Sequence, residues 1–309
     1  MVSTAAVIAA IAPLASAFAP SNTPLAAARS SSSLGSYLDS LSGQQANHAN
    51  PPAHQPPSPA STAESSTGFC HVPLEYFAFE NLSSKGPRAT YDWGAPQDWS
   101  RKLADDGVFR AGSWYCSEGG WASPNGKGVT EVFYMLEGHG MLGDADGAKH
   151  FFGPGDVVII PKGHTGRWDV NGPIHKVWAV NAHDHIEEAG PIIRAQVDHY
   201  KDFAPHCLSD TSACDPLYGN TGCVSSASNT FYDVGPTKVG AWTCQPGSFE
   251  VACGERQWFH VVEGTMFVTD RSDGTSRRCV AGDTVMLPAA WSGYVDVVEP
   301  VKKVFTVAK

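Results

Sequence analysis

The sequence predicts an all-β protein built from two copies of one sandwich or small-barrel module. Three observations carry that expectation. A phrase with Trp and Cys two apart occurs twice, as GSWYCSEGGW at 112–121 and GAWTCQPGSF at 240–249. The apolar runs are short, rich in β-branched residues and broken by turn residues. No window from 112 onward sustains a helical period of adequate length.

The two copies stay aligned beyond the opening phrase, which sits at a shift of 128. EVFYMLEG (131–138) matches QWFHVVEG (257–264) at a shift of 126. GPGDVVIIPKGHTGRWDVNGP (153–173) matches VAGDTVMLPAAWSGYVDVVEP (280–300) at 127, which aligns Asp156 with Asp283, Pro161 with Pro288 and Gly166 with Gly293. HKVWAV (175–180) matches KKVFTV (302–307) at the same shift. Small changes of shift are what insertions in surface turns produce, so the blocks read as an internal duplication. Within each copy, VVIIP and TVMLP read as strands that end at Pro, and DADG and RSDG place Asp-Gly between runs as hairpin turns.

The order G-x-W-x-C, then E/Q-x6-G, then G-D-x4-P resembles the cupin superfamily, and more narrowly the ureidoglycine aminohydrolase-like cupin group. The resemblance covers about half of the chain. It implies two tandem jelly-roll barrels, each with a ligand pocket in its mouth. The expected division is a leader and linker over 1–67, an N-terminal extension over 68–108, a first barrel over 109–182, an inter-domain linker over 183–235 and a second barrel over 236–309. The stretch 184–203 is the one segment of the linker that reads as a short helix.

The leader is set apart by composition. An apolar stretch ends in the small-residue pattern ASA, and a Ser/Ala/Pro-rich tract unable to form a core follows, so it is expected to be disordered. ASAFAP (15–20) resembles the signal-plus-transit junction of proteins sent into complex plastids of algae; plain secretion is the alternative. The apolar stretch is too short and Ala-rich for a stable membrane span. The net charge of −10 argues against nucleic-acid partners. A small-molecule ligand is the expected partner, and a homo-oligomer is compatible with the sequence. Of the eight Cys, Cys116 and Cys244 occupy equivalent places and read as small buried hydrophobes. Cys207, Cys214 and Cys223 crowd the linker at spacings that fit no standard zinc site.

Enzymatic cupins resemble one another in a metal-binding set of three His and one Glu. Carried onto the first copy, that pattern falls on Asn125, Lys127, Glu131 and Gly166; the second copy has Gln257 at the Glu place and Gly293 at the last His place. No copy has the imidazole trio, so no metal cofactor is expected. Glu131 is then the candidate general base, its pKa raised by burial, with His164 swinging in beside it. Strand alternation places Phe133 and Met135 on the same face as Glu131, and Phe259 on the same face as Gln257. Trp121, Phe133, Trp168, Gln257 and Phe259 are the candidate ligand-binding residues. The competing reading pairs Glu131 with Lys127 or Arg167 as a structural ion pair. Three functions stay open: a plastid bicupin binding a small polar or aromatic metabolite, with or without metal-independent acid/base chemistry; a metal-dependent aminohydrolase or lyase; and a non-enzymatic structural cupin.

Overall fold

A computed structural model describes residues 68–185, 192–200, 210–214 and 224–309, with the side chains of 210–214 and Val224 left aside. The leader, Cys207, Cys223 and His206 lie outside the described residues. Among those described, the regular structure is β-strand plus two short 3-10 turns, Leu74–Phe77 and Phe79–Asn81.

The first barrel is two facing sheets. One runs, in spatial order, Gln196–His199, Asp156–Ile160, Thr130–Glu137, Ile174–Asn181, Phe109–Cys116, Gln97–Asp105 and Ser83–Pro87. The other runs Trp93–Gly94, Gly119–Ser123, Gly166–Val170, Gly140–Asp144 and Lys149–Phe152. The second half repeats this order. Two long bulged strands, Arg256–Asp270 and Ser292–Ala308, each pass through both faces, so its strands count as one nine-stranded sheet. The strands upstream of the repeated phrase also correspond: Gln97–Asp105 flanks Phe109–Cys116 as Val224–Val234 flanks Thr237–Cys244. The duplication therefore reaches further toward the N-terminus than the matching phrases do.

The halves exchange edge strands. Cys70–Val72, at the start of the extension, pairs with Thr284–Leu287 of the second barrel. Gln196–His199, from the linker, pairs with Asp156–Ile159 of the first. This corrects the short helix expected over 184–203: within its described residues, Gln196–His199 is a strand and none is α-helical. The open edge at Asp156–Ile160 offers it a ladder of backbone hydrogen bonds that a helix there would leave unpaired. His71 closes the other junction with a 2.8 Å contact from Nε2 to Asp283 Oδ2.

The main cores follow from strand alternation. Odd residues of Thr130–Glu137 point into the first barrel, where Phe133 and Met135 pack with Leu142, Trp168 and Ile174. Even residues point out, and Val132, Tyr134 and Leu136 meet Trp258, Val262, Met286 and Val304 in a core shared by both barrels. The second barrel's own core holds Phe259, Val261, Met266 and Val285. His260 belongs to the shared seam, its ring tilted at 34° and 4.9 Å from that of Tyr134, and bonded through Nδ1 to Thr284 Oγ1. Burial pushes its imidazole down to about 3, so it is neutral there. Cys116 and Cys244 are buried in the two barrel interiors, as free thiols.

The Gly of E/Q-x6-G has a steric cause. Gly138 and Gly264 adopt φ of +81° and +86°, and a Cβ on them would meet the carbonyl oxygens of Pro173 and Pro300 at 2.0 and 2.1 Å. The motif Asp caps a neighbouring turn: Asp156 accepts from the Gly153 amide and Asp283 from the Val280 amide.

Gly147 has a similar φ of +87° but open space around its Cβ position. Gly147→Ala is expected to cost about 1–2 kcal/mol from left-handed backbone alone. Gly138→Ala is expected to cost clearly more, because Pro173 must also move. Urea denaturation midpoints of the two variants check the order.

Candidate functional site

Each barrel interior contains a cavity, and the two are built from equivalent residues. The first, of about 380 Å³, is lined by Trp114, Trp121, Trp168 and Trp178 together with Arg88, Arg110, Lys127, Lys176 and Glu131. The second, of about 270 Å³, has Trp242, Phe249, Val295 and Phe305 at the four corresponding places. Gln257 stands for Glu131, and Lys303 stands for Lys176.

Glu131 sits between two ammonium groups. Lys176 Nζ donates to Oε1 at 2.6 Å and Lys127 Nζ reaches Oε2 at 2.5 Å. The side chains are 4% (Lys176), 13% (Glu131) and 26% (Lys127) exposed, so the triad is largely shielded from water. Burial by itself would push the Glu131 carboxyl up, but the two ammonium charges outweigh it and hold the group down to about 2. The expected rise is therefore reversed, and a carboxylate so held is a weak base. The competing ion-pair reading is realised with Lys127 and Lys176. Arg167 turns instead to Asp92 and Asp169. Burial lowers the Lys176 ammonium from its ordinary value, opposed by the Glu131 charge. Its Nζ also lies 3.9 Å from the Phe133 ring centroid and within 5 Å of Trp114 and Trp168.

Local structure explains each position. Glu131 and Lys176 come from adjacent strands, Thr130–Glu137 and Ile174–Asn181, on inward-facing positions. Lys127 precedes the first of these strands. Its amide donates to the His164 carbonyl and its carbonyl accepts from the Gly163 amide, which fixes the loop over the cavity. Arg88 comes from the extension. It is tied to Asp98 at 2.6 Å and its guanidinium lies 3.9 Å over the Trp121 ring. Arg110 Nε is buried without a hydrogen-bond partner.

Trp121 and Trp168 line the first cavity beside Glu131, and stack at 5.9 Å and 13°. Gln257 and Phe259 line the second. Phe133 is fully buried beneath Trp168, to which it stacks, and is a floor rather than a contact surface. His164 is turned away: its Nε2 lies 2.9 Å from Asp144 Oδ1, a carboxylate that also meets His150, the Ala195 amide and Arg194. It acts on the cavity only through its backbone hold on Lys127.

The residues do not suit a transition metal. Of the four places the enzymatic pattern would use, one is a carboxylate already flanked by ammonium groups, one is Lys127 itself and one is Asn125. The fourth is Gly166, where a Cβ would lie 1.8 Å from the Gly143 carbonyl oxygen, leaving no room for an imidazole. Among the described residues, no three His, Cys, Asp or Glu side chains come together to hold a metal ion.

Sequence reasoning missed Lys176, Lys303, Arg88 and Arg110. A signal for the first two was present: a Lys aligned in both copies, at an alternating position of an otherwise apolar strand, HKVWAV and KKVFTV. A Lys inside such a run is rarely buried without a reason.

The profile of the EutQ-like cupin domain matches the sequence twice, over residues 103–178 and 233–305. The chain carries two cupin domains. No curated protein sequence matches this bicupin. Among solved structures, a protein of unknown function from Pseudomonas syringae pv. tomato is similar at 15% identity and a TM-score of 0.56, covering 78% of this chain and 99% of that one. A putative glyoxylate induced protein from Pseudomonas aeruginosa is similar at 16% identity and 0.56, covering 81% and 92%. The protein Ylba from E. coli is similar at 11% identity and 0.54, covering 81% and 95%. At these identities the likeness concerns the cupin fold. No helix of the described residues is long and apolar enough to cross a membrane.

The Glu131 triad sets a pH dependence. The folded pKa lies below the ordinary 4.5, so the carboxylate's stabilisation is in place above about 4.5 and is lost as pH falls through about 2. Glu131→Gln leaves the Lys176 ammonium buried without its counter-charge and is expected to cost about 3 kcal/mol at pH 7. The gap to the unaltered protein should narrow as pH is lowered toward 3, measured by denaturant unfolding of both at each pH.

Proposed function

We propose that the first cupin barrel binds a small organic anion with a flat, apolar body. One observation carries this reading: four cationic side chains and a single carboxylate share a cavity walled by four Trp. Glu131 offsets Lys127 or Lys176 but not both, and Arg110 keeps a buried Nε unpaired. A ligand carboxylate supplies the missing negative charge and the missing acceptor, and charge-assisted bonds of this kind are the strong ones. The Trp faces supply area for a ring. A volume of about 380 Å³ suits a compact metabolite rather than a polymer.

Where the bound molecule undergoes proton transfer, Lys176 is the group placed to donate. Its ammonium also stabilises negative charge developing on a bound oxygen. Metal-dependent aminohydrolase chemistry has less support, because the ligand places hold Asn125, Lys127 and Gly166. A purely structural cupin gives no role to the Arg110 Nε, which is buried without a hydrogen-bond partner.

The test is a thermal-shift titration of the full chain with benzoate and its neutral isostere benzamide. Benzoate is expected to raise the midpoint and benzamide to leave it in place. Arg110→Met is expected to weaken benzoate roughly tenfold. Equal response to the amide, or unchanged benzoate binding by the Arg110 variant, overturns the reading.

The plastid address is proposed on ASAFAP (15–20) alone. Residues 1–67 fused to a fluorescent protein and expressed in a diatom are expected to deliver it to the plastid; fluorescence in the medium would show secretion instead.

A further inference from the structure

The second barrel differs from the first in one chemically decisive way. Its cavity-facing lysine has lost the carboxylate. Lys303 is aligned with Lys176 and occupies the same inward place, with Nζ 4.0 Å from the Phe259 ring centroid and 4.9 Å from that of Trp242. Lys176 has Glu131 at 2.6 Å. Lys303 has the neutral Gln257 in that place, and among the described residues no carboxylate pairs with it. Lys127, the other cation of the first triad, corresponds to Cys253 at the shift of that block.

The surroundings favour an uncharged amine. Trp242, Phe249, Phe259, Met266, Leu287 and Phe305 make most of the wall, and Ser228 and Gln257 are the other polar side chains on it. The titratable groups that act on Lys303 are the thiols of Cys253, Cys244 and Cys279. Burial lowers its ammonium to about 8. A lysine desolvated in an apolar pocket is a nucleophile near neutral pH, whereas an ordinary surface lysine is almost wholly protonated.

We propose that the second barrel is a carbonyl-binding site in which the Lys303 amine forms an imine with a small aldehyde or ketone of apolar or aromatic body. The Nζ lone pair attacks the carbonyl carbon, and the carbonyl π electrons move to oxygen. A proton passes from nitrogen to that oxygen, giving a carbinolamine. A proton taken from solvent water protonates its hydroxyl, and departure of one water leaves the protonated imine, so no electron donor or acceptor is required. Gln257 is placed to hydrogen-bond the carbonyl oxygen, and the ring faces of Phe259 and Trp242 stabilise the cationic product as they do the ammonium. This site is independent of anion binding in the first barrel.

The test is reductive trapping on the folded full chain. Benzaldehyde and sodium cyanoborohydride are added near pH 7.5, and peptide mass spectrometry reports benzylation of every lysine. Lys303 is expected to be labelled roughly tenfold or more faster than surface lysines and than Lys176. Labelling should rise as pH passes up through about 8. The preference should vanish in urea, and benzyl alcohol, which fits the cavity but has no carbonyl, should slow it. Labelling of Lys303 at or below the surface rate in protein that unfolds cooperatively overturns the proposal. Lys303→Met removes the one fast site if the proposal holds; an unchanged fast site in that variant refutes it.

Discussion

The period-two pleat of two strands, Thr130–Glu137 and Arg256–Asp270, governs the rest of the molecule. Each strand serves two interiors at once. One set of alternating residues faces its own barrel, and the other set faces the neighbouring barrel. Glu131 and Phe133 can line and floor a cavity only because Val132 and Tyr134 are spent on the seam. The same holds for Gln257 and Phe259 against Trp258 and His260. A slip of one residue would drive a carboxylate into the seam and a Trp into the cavity, so register is fixed from both sides. Function and assembly are therefore written on opposite faces of the same few residues.

From that shared frame the two cavities diverge by charge. The first balances a carboxylate against two ammonium groups and adds two guanidinium groups from the extension and the first repeated strand. The second keeps a lone amine among rings and an amide. A buried charge without a partner is costly, and the two halves resolve that cost differently. One retains ionisation through pairing. The other relaxes it by making loss of the proton easier.

Much of this was legible in the residues. The duplication was, because matched blocks recur in one order. The strand character was, because β-branched runs end at Pro and Asp-Gly turns. The shared face of Glu131 with Phe133, and of Gln257 with Phe259, was, because alternation is local. The partners of Glu131 were only half legible. Lys127 lies four residues away on the same segment, but Lys176 is 45 residues distant and is brought in by strand pairing. Arg88 belongs to an extension whose aromatics suggest packing on the barrel, but no motif singles out the arginine. His164 illustrates the opposite error: it is close in sequence to the motif, yet Asp144 offers it a buried acceptor on the far side. The upward shift expected for Glu131 failed because its second counter-charge, Lys176, is brought in from a distant strand.

The reciprocal edge strands bind the halves more tightly than a linker would. His71 reaches Asp283 across 212 positions of chain, and Gln196–His199 returns to the first barrel from beyond it. The first barrel closes on the linker strand, whereas Cys70–Val72 must wait for Thr284–Leu287, so that last ladder forms only after most of the polypeptide has emerged. Such distant pairings are entropically expensive to close and slow to find. The arrangement is also what fusion of two arm-swapped subunits would leave behind: an ancestral dimer whose crossing arms survived as the stitching of a single chain.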